Sequence, residues 1–240
     1  MEHGKLVVDT PGARRLRRAE LKEIPTPDAT DTFKPVPYWR LIDTIEEALA
    51  YRRIKIEADE YCVAKQGGQF FSCLELSITD DDVRFALGIR SSNDKSLRIS
   101  MVAGFRIFVC SNLAFNGSFQ PLLQKHSKNL ELQDSLAVAL DRTARHFDKL
   151  PAQIKAWKER EITDTFFKEF AYDAFVGGGL KIPIRHIRDV HRNYYEDDRF
   201  PKGTMWALHN SGTSCFKQLE PDKQYAVTAQ WGKLINAVSQ

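Results

Sequence analysis

The stretch from Val83 to Lys128 constrains the fold more than any other part of the chain. Two runs of β-type alternation flank a polar turn, Ser92-Asn93-Asp94-Lys95. Successive strand side chains point to opposite faces, so Phe85, Leu87 and Ile89 share one face while Arg84, Ala86, Gly88 and Arg90 share the other. The second run, Leu97 to Cys110, is apolar at Leu97, Ile99, Met101, Ala103, Phe105, Ile107 and Val109. An unbroken strand of that length is unusual, so Gly104 is read as a bulge or bend. Paired side by side, these runs predict one core-forming face. They also predict a second face on which Arg84, Arg90, Arg98 and Arg106 form a basic stripe with Phe108 among them.

The flanking segments extend this into an α+β fold, with an antiparallel β meander in the first half covered by helices mostly from the second. Tyr61 to Lys65 and Phe70 to Ile78 read as a hairpin around Gly67-Gly68, since glycine adopts the positive φ of a tight turn without strain. Pro37 suits the start of a helix, and Tyr38, Leu41, Ile42, Ile45 and Leu49 follow helical spacing up to Arg53. Past the loop after Cys110 the apolar period turns helical. Leu132, Leu136, Leu140 and Phe147 mark one helix, Ile154 and Trp157 a second, and Phe166, Phe167, Phe170 and Phe175 a third, capped by Thr163 or Asp164 and ended by Gly177-Gly178-Gly179. Further helices run from Ile184 to Tyr195 and through Val227, Trp231, Leu234, Ile235 and Val238. The expected organisation is a basic, proline-containing arm over residues 1–36 and one domain over 37–240, its sheet at about 61–112 and its later helices at about 130–240.

Several function classes are set aside by composition. With 240 residues, 42% of them hydrophobic, the chain has enough apolar surface for a substantial core. No apolar run reaches the ~18 residues of a membrane span, and the opening Met-Glu-His-Gly-Lys lacks a signal core, so a cytoplasmic protein without a membrane partner is expected. Cys62, Cys73, Cys110 and Cys215 show no C-x-x-C spacing and read as buried reduced thiols; no metal and no cofactor are expected. His186 and His191 are five apart, which does not place two ligands on one helical face.

Charge is informative in its distribution. The net +3 is small, yet Arg84 to Lys128 carries seven Lys and Arg against the single acid Asp94, which is +6 and leaves −3 for the rest. A second basic cluster, Arg14-Arg15-Leu16-Arg17-Arg18, lies in the expected arm. Concentrated cations neutralise phosphates and release counterions, so Arg84, Arg90, Lys95, Arg98, Arg106, Lys125, His126 and Lys128 are the candidate nucleic-acid-binding residues, with Phe108 or Phe115 available for base stacking. Asp94, His126 and His209 are the candidate catalytic groups, and Asn112 and Asn210 candidates for orienting water or substrate.

Three segments carry a resemblance. They are the Asn93-Asp94-Lys95-Ser96 turn, the strand end from Arg106 through Cys110 to Asn112, and Trp206-Ala-Leu-His-Asn210-Ser-Gly-Thr213. In these the chain resembles the phage/plasmid-like proteins of domain of unknown function 932, although its turn is shorter than that family's. The resemblance picks out Asn93, Asp94, Asn112, Asn116, Asn210 and Thr213 as motif polar residues and implies a mobile-element setting in a bacterial or phage-infected cell. The meander followed by a long helix is also similar in topology to Rad52-like single-strand annealing proteins, which bind the nucleic-acid backbone in a basic groove and form rings. The expectation that follows is a non-catalytic binder of nucleic acid, single-stranded DNA foremost, acting in recombination or annealing, with homo-oligomerisation open. The alternatives are a partner-binding protein, such as an inhibitor of host defence, and an enzyme acting on nucleic acid.

Overall fold

The computed structural model describes residues 13–80, 83–107, 113–115, 121–127, 131–219 and 221–239. Along the chain these form β1 (Arg14–Leu16), α1 (Tyr38–Tyr51), β2 (Ile56–Ala64), β3 (Gln69–Asp80), β4 (Val83–Ser92), β5 (Ile99–Ile107), β6 (Leu113–Phe115) and β7 (Leu122–Gln124). The helices α2 (Leu132–Phe147), α3 (Leu150–Glu159), α4 (Asp164–Phe175), α5 (Ile187–Glu196), α6 (Met205–Phe216) and α7 (Pro221–Ser239) follow. The fold is α+β, and two compact units divide it: a sheet unit of Asp9–Phe105 with Phe119–Phe147, and a helical unit of Arg106–Ser118 with Asp148–Gln240.

In the sheet unit the strands lie in the order β1-β2-β3-β4-β5, with β7 against β5. Register is set by alternating apolar pairs, among them Leu74↔Leu87 and Val63↔Phe70. The β2–β3 turn is tight because Lys65, Gln66 and Gly67 all take positive φ, so the glycines expected there contribute one of three left-handed residues. One face of the sheet receives the two helices of this unit. Phe70 stacks on Tyr38 of α1 at 4.7 Å, and Phe85 on Phe147 of α2 at 4.7 Å. Arg52 ties α1 to α2 through Asp141 at 2.6 Å and the Ala137 carbonyl at 3.1 Å.

Two expectations change here. The segment Arg14–Leu16, assigned by sequence to an arm, pairs antiparallel with Tyr61–Val63 of β2. The next turn is a 3-10 helix, Arg18–Glu23, held to α1 by Arg18 on Asp43 and on Glu46. The sheet is also not one-sided. Ala86, read by alternation as lying opposite the core face, is as buried as Leu87; Phe71, Cys73 and Glu75 of β3 are as buried as Phe70, and Ser100 and Val102 of β5 are as buried as Ile99 and Met101. These residues are small or apolar, or, as with Glu75, paired with a cation, so burial costs them little.

In the helical unit α6 is the central element. All twelve of its residues are buried, with α3, α5 and α7 packed around it. Its start is fixed by the Thr204 hydroxyl, which accepts from Ala207 N at 3.1 Å, as Thr163 caps α4 by accepting from Phe166 N at 3.1 Å. Gly212 lets α7 approach closely: a Cβ there would stand 2.3 Å from Trp231 Cε2. Trp231 donates from Nε1 to the His209 carbonyl at 3.0 Å and is edged by Phe170 and Phe216.

Candidate functional site

The polar turn between β4 and β5 is built from its own side chains. Ser92 Oγ accepts from Leu97 N at 2.9 Å and donates to the Leu97 carbonyl at 3.1 Å, closing the loop. Asp94 Oδ1 accepts from Ser96 N at 2.9 Å. Partial burial raises the Asp94 carboxyl, but the hydrogen bonds from Ser96 and Ser92 outweigh it and hold the group below its ordinary value. Asn93 donates from Nδ2 to the Pro25 carbonyl at 3.0 Å. Beneath the turn, the Tyr38 hydroxyl donates to the Gly67 carbonyl at 2.9 Å and accepts from Asn93 N at 3.0 Å, which locks the two turns to α1. Lys95 follows in a left-handed conformation with φ of 66°.

This scaffold presents a cationic depression of about 340 Å³, lined by Thr32, Phe33, Lys95, Ser96, Leu97, Arg98, Lys125 and His126. Its size falls within the ~300–1,000 Å³ common for ligand pockets. The β5–β7 register explains why cations meet there. Ile99 pairs with Gln124 as the last rung of the ladder, so Arg98 and Lys125, the next residue outward on each segment, both emerge at this end. Like charges held close together repel, and among the described residues no carboxylate lines the depression to offset them. Lys95 Nζ sits 5.0 Å from the Phe33 ring centre, a cation–π contact that anchors its stem.

His126 forms the floor. It is buried, with its ring 5.3 Å from Phe33 and Nε2 3.3 Å from Ser91 Oγ, and its carbonyl accepts from Lys34 N at 3.0 Å. Burial lowers its pKa, more than the Lys34 contact raises it, so the ring is neutral at pH 7. Nδ1 has no hydrogen-bond partner among the described residues.

Of the residues singled out by sequence, Lys95, Arg98, Lys125 and His126 therefore converge. Arg84 and Arg90 do not join them in an exposed stripe. Arg84 lies 3.9 Å from the buried Glu75 carboxylate, and Arg90 is half-buried opposite Phe71. The side chains of Arg106 and Phe115, and all of Phe108, Cys110, Asn112, Asn116 and Lys128, lie outside the described residues. Asn93 and Asp94 shape the turn. Thr32 and Phe33, within the stretch read from sequence as a basic, proline-containing arm, are wall residues that reading missed; the aromatic just before Lys34 was the available signal.

In the helical unit the candidates His209, Asn210 and Thr213 are all buried residues of α6. His209 stacks on Trp157 at 4.8 Å and on Trp206 at 5.6 Å, and burial pushes its pKa down to about 3. Asn210 donates from Nδ2 to the Trp206 carbonyl at 2.9 Å, and Thr213 Oγ1 donates to the carbonyls of His209 and Asn210 at 3.3 and 3.2 Å. These contacts pair Asn210 Nδ2 and Thr213 Oγ1 with carbonyls of the same buried helix. Cys62, Cys73 and Cys215 are buried and take part in no disulfide. Among the described residues no helix is long and apolar enough to cross a membrane.

Sheet, buried helix and depression together define an α+β protein whose candidate site is a cationic hollow where β5 begins and β7 ends. The chain belongs to the family described as Domain of unknown function (DUF932), which it matches over residues 30–231. No curated protein and no solved structure matches it.

Proposed function

We propose that this protein is a non-catalytic binder of nucleic acid that takes the phosphates of a single strand into the Lys95–Arg98–Lys125 depression. The carrying observation is that Lys95, Arg98 and Lys125 line one depression at the end of the β5–β7 ladder, with no acid among its described lining residues. Repulsion between those cations is relieved when an anion enters, so binding energy is stored in the free state. A hollow that opens along the end of two strands suits a chain of phosphates passing over it. Catalysis is not required by this arrangement, since Asp94 is committed to Ser96 and His126 is a buried neutral ring. The resemblance to phage/plasmid-like proteins supplies the setting, recombination or annealing of mobile-element DNA.

The test is a fluorescence-anisotropy titration with a labelled single-stranded oligonucleotide across a salt series. Each phosphate contacted contributes a slope of about −0.7 in log K against log salt, so three contacts give roughly −2. Replacing Lys95, Arg98 and Lys125 together by alanine should flatten that slope to near zero and weaken binding at least tenfold at low salt. Affinity that ignores salt, or that survives the triple replacement unchanged, refutes the proposal.

A further inference from the structure

The helical unit brings together three side chains of metal-ligating type that the nucleic-acid reading does not use. His186 ends the 3-10 turn Ile184–His186, Asp189 is in the first turn of α5, and Cys215 is near the end of α6. His186 Nδ1 lies 3.9 Å from Cys215 Sγ and 3.9 Å from Asp189 Oδ2, and the three ligand atoms all fall within 4.8 Å of one another. The residues are half-buried, half-buried and buried respectively.

A catalytic Cys-His-Asp triad is excluded by the geometry. In a triad the imidazole bridges, with one nitrogen toward the acid and the other toward the thiol. Here thiol and carboxylate face the same nitrogen. Each also has a hydrogen-bonding partner of its own: Cys215 Sγ donates to the His186 carbonyl at 3.8 Å, and Asp189 Oδ1 accepts from Arg192 Nη2 at 2.9 Å. Neither needs the imidazole for satisfaction, yet both turn to Nδ1. Three unlike donors converging on one point is the arrangement of a metal site.

We infer that His186, Asp189 and Cys215 bind a divalent transition metal, zinc by preference, independently of the nucleic-acid proposal. Zinc bonds of about 2.0–2.3 Å in tetrahedral array space the ligand atoms about 3.4–3.6 Å apart, so the two 3.9 Å edges from His186 close by roughly 0.3–0.5 Å on binding and the thiol–carboxylate edge, within 4.8 Å, by up to about 1.2 Å. The donor set selects the metal class. A thiolate and an imidazole favour zinc or cobalt over magnesium or calcium, which take oxygen. Arg192 plays the supporting part of an outer-shell residue, fixing the carboxylate through Oδ1 and leaving Oδ2 for the metal. Three protein ligands leave the fourth position to water or an incoming group. The i, i+3 spacing of His186 and Asp189 is visible in the sequence, but only the packing of α5 on α6 adds Cys215.

Cobalt(II) is the probe, because it reports its ligands by colour. The full chain, stripped with a chelator and titrated with Co²⁺ alone, should bind one equivalent, with the visible bands of tetrahedral cobalt and a near-ultraviolet thiolate-to-cobalt band. Added Zn²⁺ should bleach both. Cys215→Ser should abolish the charge-transfer band, while Cys62→Ser leaves it intact. His186→Gln and Asp189→Asn, at half-buried positions, should weaken binding roughly 100-fold or more, since even outer-shell changes cost 10–100-fold. Far-ultraviolet circular dichroism checks that each variant is folded. Absence of a saturable cobalt spectrum overturns the inference, as does a thiolate band that persists in Cys215→Ser or affinity unmoved in the two half-buried variants.

Discussion

Replacing Gly212 by alanine should destabilise the helical unit, although the same change in an ordinary helix interior stabilises by about 1 kcal/mol. The added Cβ would lie 2.3 Å from Trp231 Cε2 and 2.6 Å from both Cζ2 and Nε1. Carbon contacts relax at about 3.5–4.0 Å, so the indole must retreat by more than an ångström. It has nowhere easy to go, with Phe170 edge-on at 5.1 Å, Phe216 at 5.5 Å and Nε1 bonded to the His209 carbonyl. Overpacking costs about 1–3 kcal/mol, and stranding the buried indole N–H costs about 1–3 more. After the helix-propensity gain, the net loss is about 3 kcal/mol. Urea denaturation followed by tryptophan fluorescence reads it, because Trp157, Trp206 and Trp231 all belong to this unit. With m of about 2 kcal/mol/M, the midpoint should fall by about 1.5 M. In a Trp231→Phe background, which removes the clashing atoms, the same glycine replacement should cost under half as much. A Gly212→Ala protein with an unchanged or raised midpoint would refute the packing argument.

Three further expectations follow from the structure. Tyr38→Phe removes one hydroxyl from the Gly67 and Gly68 carbonyls and from Asn93 N, and should cost about 1–3 kcal/mol in urea unfolding; an unchanged midpoint counts against the turn-locking role. His209 is held far below its ordinary 6.5 at about 3, so the unfolded state binds the extra proton between those values. Stability contributed by the neutral ring is therefore complete above pH 6.5 and falls by about 1.4 kcal/mol per unit as pH drops toward 3. His209→Phe should flatten that dependence by one proton in pH-resolved unfolding curves, and an unchanged slope sinks the assignment. Lys125→Thr, finally, should raise thermal stability by a few tenths of a kcal/mol, the low end of the ~0.2–1 range for cross-strand pairs, while reducing oligonucleotide affinity. A loss of stability would mean that Arg98 and Lys125 do not oppose each other.

Sequence periodicity revealed the elements that bury one face well. Tyr38 to Arg53, Leu132 to Phe147 and the phenylalanine-rich α4 were legible because their apolar residues recur at helical spacing. The alternation of Phe85, Leu87 and Ile89 likewise marked β4. It misled on the other face, because Ala86, Gly88 and Ser100 are compatible with either solvent or close packing, and periodicity alone does not tell them apart. Arginine spacing predicted a stripe, whereas Arg84 finds Glu75 through a β3–β4 ladder whose register shifts between Glu75 and Thr79. Lys95, Arg98, Lys125 and His126 were visible as charge, but the meeting of Arg98 with Lys125 depends on β7, three residues too short to show a period. The His209, Asn210 and Thr213 pattern looked like a polar site. It is the polar lining of a helix with no outside.

That last feature bears on how the protein is made. A helix buried on every side has no solvent-facing half to stabilise it in isolation, and α6 brings His209, Asn210 and Thr213 into an apolar setting only when its neighbours are in place. Its neighbours share the dependence. Leu150, Ile154 and Trp157 of α3 leave the ribosome well before Met205, and at about 5–20 residues per second they wait several seconds for the surface they will cover. During that interval the nascent helical unit displays bare tryptophan and phenylalanine faces. Synthesis of this chain should thus depend on chaperone protection over that window, and a slow codon cluster placed ahead of residue 205 should lower soluble yield more than one placed after 216.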